Sequence, residues 1–131
     1  MKKYFLSFVL LLLFFFSGCD ADSPMGVLFD PPKCKITNIS RVASPNHSPV
    51  YFKITVQNVG SGATAYNIGC EIRLKNGNYI VDQSTVYFGY LKEGESTSGE
   101  ADFYSITNLY EYSTEEITLY WYDSQDGYYH N

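Results

Sequence analysis

Histidine is almost missing from this sequence: only His47 and His130 occur. His47 stands in Ser44-Pro45-Asn46-His47-Ser48-Pro49, a turn by composition, and His130 is next to the C-terminus. A zinc site needs clustered donors, and nothing in the spacing clusters these two. No metal and no cofactor are expected. Cysteine is scarce too. Cys19, Cys34 and Cys70 lack the Cys-x-x-Cys spacing of a redox centre. Basic residues are outnumbered, nine Lys and Arg against fourteen Asp and Glu, for a net charge of −5. Such a chain is repelled by phosphate backbones, which excludes nucleic acid as a partner and electrostatic attachment to anionic lipid.

The signs of catalysis are also missing. Gly60-Ser61-Gly62 and Ser98-Gly99 do not supply the strained Gly-x-Ser-x-Gly turn and neighbouring histidine of a serine nucleophile. Glu93 with Glu95, and Glu115 with Glu116, are paired carboxylates. A glycosidase pair must flank a cleft at a set separation, whereas these pairs read as solvated charge at turns. Asp123-Ser124-Gln125-Asp126-Gly127 lacks the further oxygen ligands and closing Glu of a calcium loop, and reads as a polar turn. No enzyme is expected.

Only one long apolar run exists. It extends from Tyr4 to Phe16, broken by Ser7, behind Met1-Lys2-Lys3 and ahead of Ser17-Gly18-Cys19. A spanning helix needs about 20 apolar residues and this run is shorter. The residues beyond it, Asp20-Ala21-Asp22-Ser23, are acidic and small. A basic head, a short apolar middle and a small-residue exit make a secretory signal. Cysteine directly after Ser-Gly resembles a bacterial lipobox. That resemblance implies that residues 1–18 are cut away, that Cys19 carries lipid, and that the protein sits in the bacterial cell envelope. One acyl chain binds a membrane only marginally, so the anchor requires a multiply acylated Cys19. Residues 19–32 contain Pro24, Gly26 and Pro31-Pro32 and read as a tether, extended at about 3 Å per residue. With Cys19 lipidated, Cys34 and Cys70 are left as a pair in an oxidising compartment. They form a disulfide or two buried free thiols, since cysteine is among the most buried residue types.

Residues 33–131 are one domain's worth of chain. The chain holds 13 Tyr and 9 Phe, and Tyr, Phe, Thr and Val suit a pleated, half-buried surface. Alternation is clear. Phe52, Ile54 and Val56 share one face of Tyr51–Asn58; Tyr66, Ile68, Cys70, Ile72 and Leu74 share one face of Ala65–Lys75. Asn76-Gly77 then favours a tight hairpin with positive φ. Further strands are predicted at Lys35–Val42, Tyr79–Gln83, Val86–Leu91, Thr97–Tyr104, with Ala101 and Phe103 inward, and Ile117–Tyr122. About seven strands at this spacing predict an immunoglobulin-like antiparallel β-sandwich. Residues 105–116 show neither period and read as an irregular connection.

The turns carry a second resemblance. Val56-Gln57-Asn58-Val59-Gly60, Ala65-Tyr66-Asn67 and Gly89-Tyr90-Leu91-Lys92-Glu93-Gly94-Glu95-Ser96 resemble the "N-x-G", "A-x-N" and "G-x-L-x-x-G-E-S" segments of secreted immunoglobulin-like domains of the FxLYD and CARDB kind. The resemblance covers most of residues 35–123 and implies a non-catalytic binding or spacer module. The tyrosines are the remaining functional candidates. Tyr120 and Tyr122 are expected to face outward if Leu119 and Trp121 face in, and Tyr110 and Tyr112 lie in the preceding connection. Exposed tyrosines suit recognition of an envelope protein or a glycan. They also stiffen a sheet through cross-strand pairs.

Overall fold

The computed structural model describes residues 30–44, 47–124, 127 and 129–131, so Cys19 and the expected signal lie outside the described residues. Seven strands follow in order: β1 (Cys34–Ser44), β2 (His47–Asn58), β3 (Ala65–Asn76), β4 (Tyr79–Leu91), β5 (Ser96–Phe103), β6 (Thr114–Tyr122) and β7 (Tyr129–His130). They form two antiparallel sheets, β1-β2-β5 and β4-β3-β6-β7. The domain is an all-β antiparallel sandwich. In the constant-type immunoglobulin arrangement the fourth strand joins the first sheet. Here β4 hairpins back onto β3 through Asn76-Gly77, with Gly77 at a φ of +59°, which gives sheets of three and four strands.

The core is where the alternation puts it. Phe52, Ile54 and Val56 of β2, Ile68, Cys70, Ile72 and Leu74 of β3, and Ala101 and Phe103 of β5 are all fully buried. Phe52 and Phe103 meet edge to face with ring centroids 4.9 Å apart. Burying one such side chain stabilises the fold by roughly 1.5–3 kcal/mol, and these residues together hold the sheets face to face. Gly99 of β5 is needed for that contact. A Cβ there would stand 2.5 Å from Val86 and 3.1 Å from Phe88 of β4.

One end of the sandwich is tied by Asn58, a fully buried polar residue. Its side-chain oxygen accepts from the Gly60 N–H at 3.1 Å and the Lys33 N–H at 3.3 Å. Its amide donates to the carbonyls of Ala63 at 2.8 Å and Leu91 at 3.0 Å. A buried amide left without partners is costly, and this one serves the start of β1, the β2–β3 loop and the end of β4 together. Gly60 is required beside it, since a Cβ would come within 2.7 Å of the Lys33 nitrogen. The Asn-x-Gly pattern is therefore a knot between loops. The opposite end is tied by charge. Arg41 of β1 reaches across to Glu115 of β6, with Nε to Oε1 at 2.7 Å, and its guanidinium lies 5.4 Å from the Phe52 ring centroid.

Three details depart from the strand expectations. Tyr79–Gln83 and Val86–Leu91 are one strand, because Ser84 and Thr85 continue the ladder opposite Ile72 and Glu71. The short strand β7 is additional; it pairs with β6 at Trp121–His130 and Tyr122–Tyr129. The third concerns Tyr66. Asn67 has a φ of +47° and breaks the register between Tyr66 and Gly69. This bulge restarts the alternation, so Ala65 and Ile68 are both buried and Tyr66 turns away from the core, its ring 6.4 Å from that of Tyr90. Of the expected connection over 105–116, residues 105–113 are irregular, whereas 114–116 open β6 because they continue its pairing with β3. Ile106 plugs it into the core, and the Glu111 carboxylate accepts from the Thr107 and Asn108 backbone N–H groups at 2.9 and 3.1 Å.

Candidate functional site

Four tyrosines, Tyr87, Tyr120, Tyr122 and Tyr129, converge on the outer face of the four-stranded sheet. Tyr120 and Tyr122 of β6 face outward while Ile117, Leu119 and Trp121 pack toward the core, as the alternation requires. Tyr120 lies over β3 because Gly69 stands beneath it: a Cβ on Gly69 would fall among the ring's outer atoms. Tyr129 of β7 stacks on Tyr120 at 5.8 Å and meets Tyr122 edge-on at 5.6 Å. From the other side Tyr87 of β4 brings its hydroxyl to that of Tyr120, and its ring is 75% exposed. Burial, and then the Tyr87 hydroxyl, push the Tyr120 phenol up to about 12.

Between these rings runs a groove of about 420 Å³, lined by Asn67, Ile68, Tyr87, Gly89, Tyr120 and Tyr122. Its volume is in the range of small-molecule sites, roughly 300–1,000 Å³. Two backbone irregularities shape it. Asn67 forms the bulge already described, and Gly89 opposite it has a φ of +75° with open space where a side chain would project. No lining side chain is charged. The Asn67 amide has no hydrogen-bond partner among the described residues. The groove thus offers aromatic faces, phenol hydroxyls and one free amide around a floor cleared by glycine.

Tyr110 and Tyr112 belong elsewhere. Tyr110 is 96% exposed on the 105–113 connection and stacks on no described ring. Tyr112 is part of the fold: its ring is 6.5 Å from Phe52 and its hydroxyl donates to Glu115 at 2.8 Å. Burial and that carboxylate push its phenol up to about 12. The structure therefore brings together only two of the four expected tyrosines, and supplies Tyr66, Tyr87, Tyr90 and Tyr129 instead. Strand pairing, which sequence spacing does not reveal, sets these neighbours.

The remaining candidates have structural roles. Cys34 and Cys70 are both buried and both free, so the expected bridge is not formed and the buried-thiol alternative describes them. Burial pushes both thiols up to about 11, which suppresses the thiolate that disulfide exchange requires. Glu93 accepts from the Gly62 N–H and Glu95 from the Lys92 N–H, each at 2.8 Å, so this pair caps turns. Glu115 and Glu116 are ion-paired rather than merely solvated. Arg41 holds the Glu115 carboxyl below the usual carboxylate range, and Lys75 does the same for Glu116. Among the described residues no group of three or more possible metal ligands gathers, and Gln125 and Asp126 of the acidic turn lie outside them.

A second cavity, of about 460 Å³, opens beside the segment before β1, between Pro31, Pro32, Gly60, Trp121 and His130. The Trp121 Nε1–H donates to the Pro32 carbonyl at 2.9 Å, and the His130 ring stacks on the indole at 5.7 Å. These contacts clasp the segment just before β1. Comparison with protein-family models, curated proteins and solved structures finds no match to this chain.

Proposed function

We propose that this chain is a non-catalytic binding module of the bacterial cell envelope, held to a membrane through lipidated Cys19, with its ligand site in the groove between Tyr87, Tyr120 and Tyr122. The anchor rests on the lipobox-like Phe16-Ser17-Gly18-Cys19 and the acidic, small residues behind it. The resemblance of the turns to FxLYD and CARDB domains agrees with a module of this kind.

The observation that carries the binding role is the concentration of rings. Tyrosines that only stiffen a sheet would be spread over both outer faces. The outer face of β2 and β5 carries Lys53, Thr55 and Gln57 against Ser98, Glu100 and Asp102, with Tyr51 its one ring among these strands. On the opposite sheet Tyr87, Tyr120, Tyr122 and Tyr129 gather instead around one groove. Two experiments test the proposal. Radiolabelled palmitate should enter the full-length chain in a bacterial host and be lost in Cys19→Ala; undiminished labelling of that variant removes the anchor. Amide chemical shifts of the isolated domain, recorded against envelope extracts, should move at Asn67, Gly69 and Gly89. Shifts confined to the 105–113 connection or to the outer face of β2 remove the groove.

A further inference from the structure

We infer that the occupant of the groove is a neutral oligosaccharide, with a pyranose ring lying by its C–H face on the tyrosines. This rests on the reading of the groove as the binding site and adds the chemistry of what it holds.

Charge comes first. The groove lining is Asn67, Ile68, Tyr87, Gly89, Tyr120 and Tyr122, all neutral. The cations of the same sheet face are already engaged. Arg73 pairs with Glu71 and Glu116, and Lys75 with Glu116 at 2.9 Å. An anionic ligand would find no guanidinium or ammonium in the groove, and a cationic ligand no carboxylate. A ligand recognised here has to be neutral.

Shape comes next. Tyr120 is pressed onto Gly69 and stacked by Tyr129, so its ring is held in place over β3 before any ligand arrives. Gly89 leaves the floor beside it clear. A fixed ring beside open floor suits a flat, rigid ligand, and a ring already held loses little entropy on binding. Stable protein partners bury roughly 800 Å² on each side, generally over a hydrophobic centre. A protein docked here would have to extend over the ion-paired end of the face, where Glu71, Arg73, Lys75 and Glu116 already satisfy one another. A groove of about 420 Å³ is instead the scale of a small ligand.

Hydrogen bonding completes the match. A sugar presents an apolar C–H face and a rim of hydroxyls that both donate and accept. The groove answers with ring faces and, at its edge, the hydroxyls of Tyr87 and Tyr122 and the Asn67 amide, each able to donate and accept. A purely aliphatic ligand would leave these polar groups buried and unpaired.

The test is titration calorimetry of the isolated domain (residues 30–131) with cellotetraose, chitotetraose, maltotetraose and mannotetraose, and with tetragalacturonate as the charged probe. At least one neutral tetrasaccharide should bind, and tetragalacturonate should not. Tyr87→Ala and Tyr122→Ala should each weaken that binding by about tenfold or more, the loss of one stacked ring. Tyr110→Ala should leave it unchanged. Circular dichroism confirms that each variant is folded. Binding of tetragalacturonate in preference to all neutral probes overturns the inference, and so does the absence of any saccharide binding at millimolar concentration. These outcomes are separated from failure of the groove itself by photo-crosslinking in envelope extract. A protein captured through a photoreactive group at Tyr87, and released by Tyr122→Ala, means that the groove binds protein and the sugar assignment is wrong. Saccharide binding that Tyr87→Ala and Tyr122→Ala do not affect removes the groove and its proposed occupant together.

Discussion

The two ends of one sheet face solve the same problem differently. Both must finish the outer surface of β3 and its neighbours. At one end Glu71, Arg73 and Lys75 of β3 meet Glu116 of β6, and every charge has an opposite within reach. At the other end Gly69 has no side chain, and Tyr120 lies over the bare backbone with Tyr122, Tyr87 and Tyr129 around it. The ion-paired end satisfies itself and leaves nothing over for a ligand. The aromatic end covers the strand yet keeps ring faces and hydroxyls turned outward. The difference lies in what remains available once the surface is complete, and that separates a recognition face from a stabilising one.

The strongest way to break the comparison is Tyr120→Ala. The ring covers Gly69, so its loss exposes backbone and apolar surface and should cost about 1–3 kcal/mol in urea denaturation. Its protonation gives a second readout. The Tyr120 phenol is pushed up to about 12, as is that of Tyr112. The folded chain keeps protons that the unfolded chain releases near pH 10. The stability that these two phenols carry is therefore complete below about pH 10 and falls as pH rises toward 12, while the Cys34 and Cys70 thiols, pushed up to about 11, add a loss that begins near pH 9. Tyr120→Phe and Tyr112→Phe should each remove part of that alkaline loss, and the buried Cys34 and Cys70 thiols supply the remainder. Alkaline unfolding unaltered in the double variant would contradict this.

Glu115→Gln comes next. The carboxyl holds Arg41 and accepts from Tyr112, and is partly sheltered. We expect a loss of about 1 kcal/mol at pH 7. Its depressed ionisation implies stability that is present above the normal carboxylate range, near pH 4.3, and lost as pH falls below it. The variant should flatten that acid limb, measured by thermal melts from pH 7 to 3.

Glu116→Gln should do less. Its ion pairs with Lys75 and Arg73 lie at the surface, so a small destabilisation in dilute buffer should vanish in 1 M salt. Tyr87→Ala should do least to stability, within about 0.5 kcal/mol, because its ring is mostly exposed. It also sharpens the comparison most, since the same change should abolish most binding. A Tyr87→Ala protein that loses stability and keeps its ligand would reverse the roles assigned to the two ends.

Much of this was legible in the sequence wherever alternation was unbroken. Phe52, Ile54 and Val56, and Ile68 through Leu74, announced the two inner faces, and Leu119 with Trp121 implied outward Tyr120 and Tyr122. Legibility failed where the period slipped or where partners came from distant strands. Tyr66 was assigned inward because a bulge at Asn67 is invisible to a period-two count; the clue was the asparagine, a residue that tolerates positive φ. Tyr87 reaches the groove, and Tyr129 the rings beside it, through strand order, which no local pattern encodes. Tyr110 and Tyr112 looked like companions of Tyr120 along the chain, but β6 carries them to the far end of the sheet. Gly69 was readable only as a gap in the outer face, and its meaning depends on the ring that fills it.

Trp121 stands between Tyr120 and Tyr122, and its indole holds the Pro32 carbonyl while its two neighbours face the groove. On the proposed anchorage at Cys19, the point of pull and the point of grip would fall on three consecutive residues. Tension between a held ligand and the membrane would pass through a short length of β6 and the clasp at Pro32. The core, built on β2, β3 and β5, would be spared most of the strain.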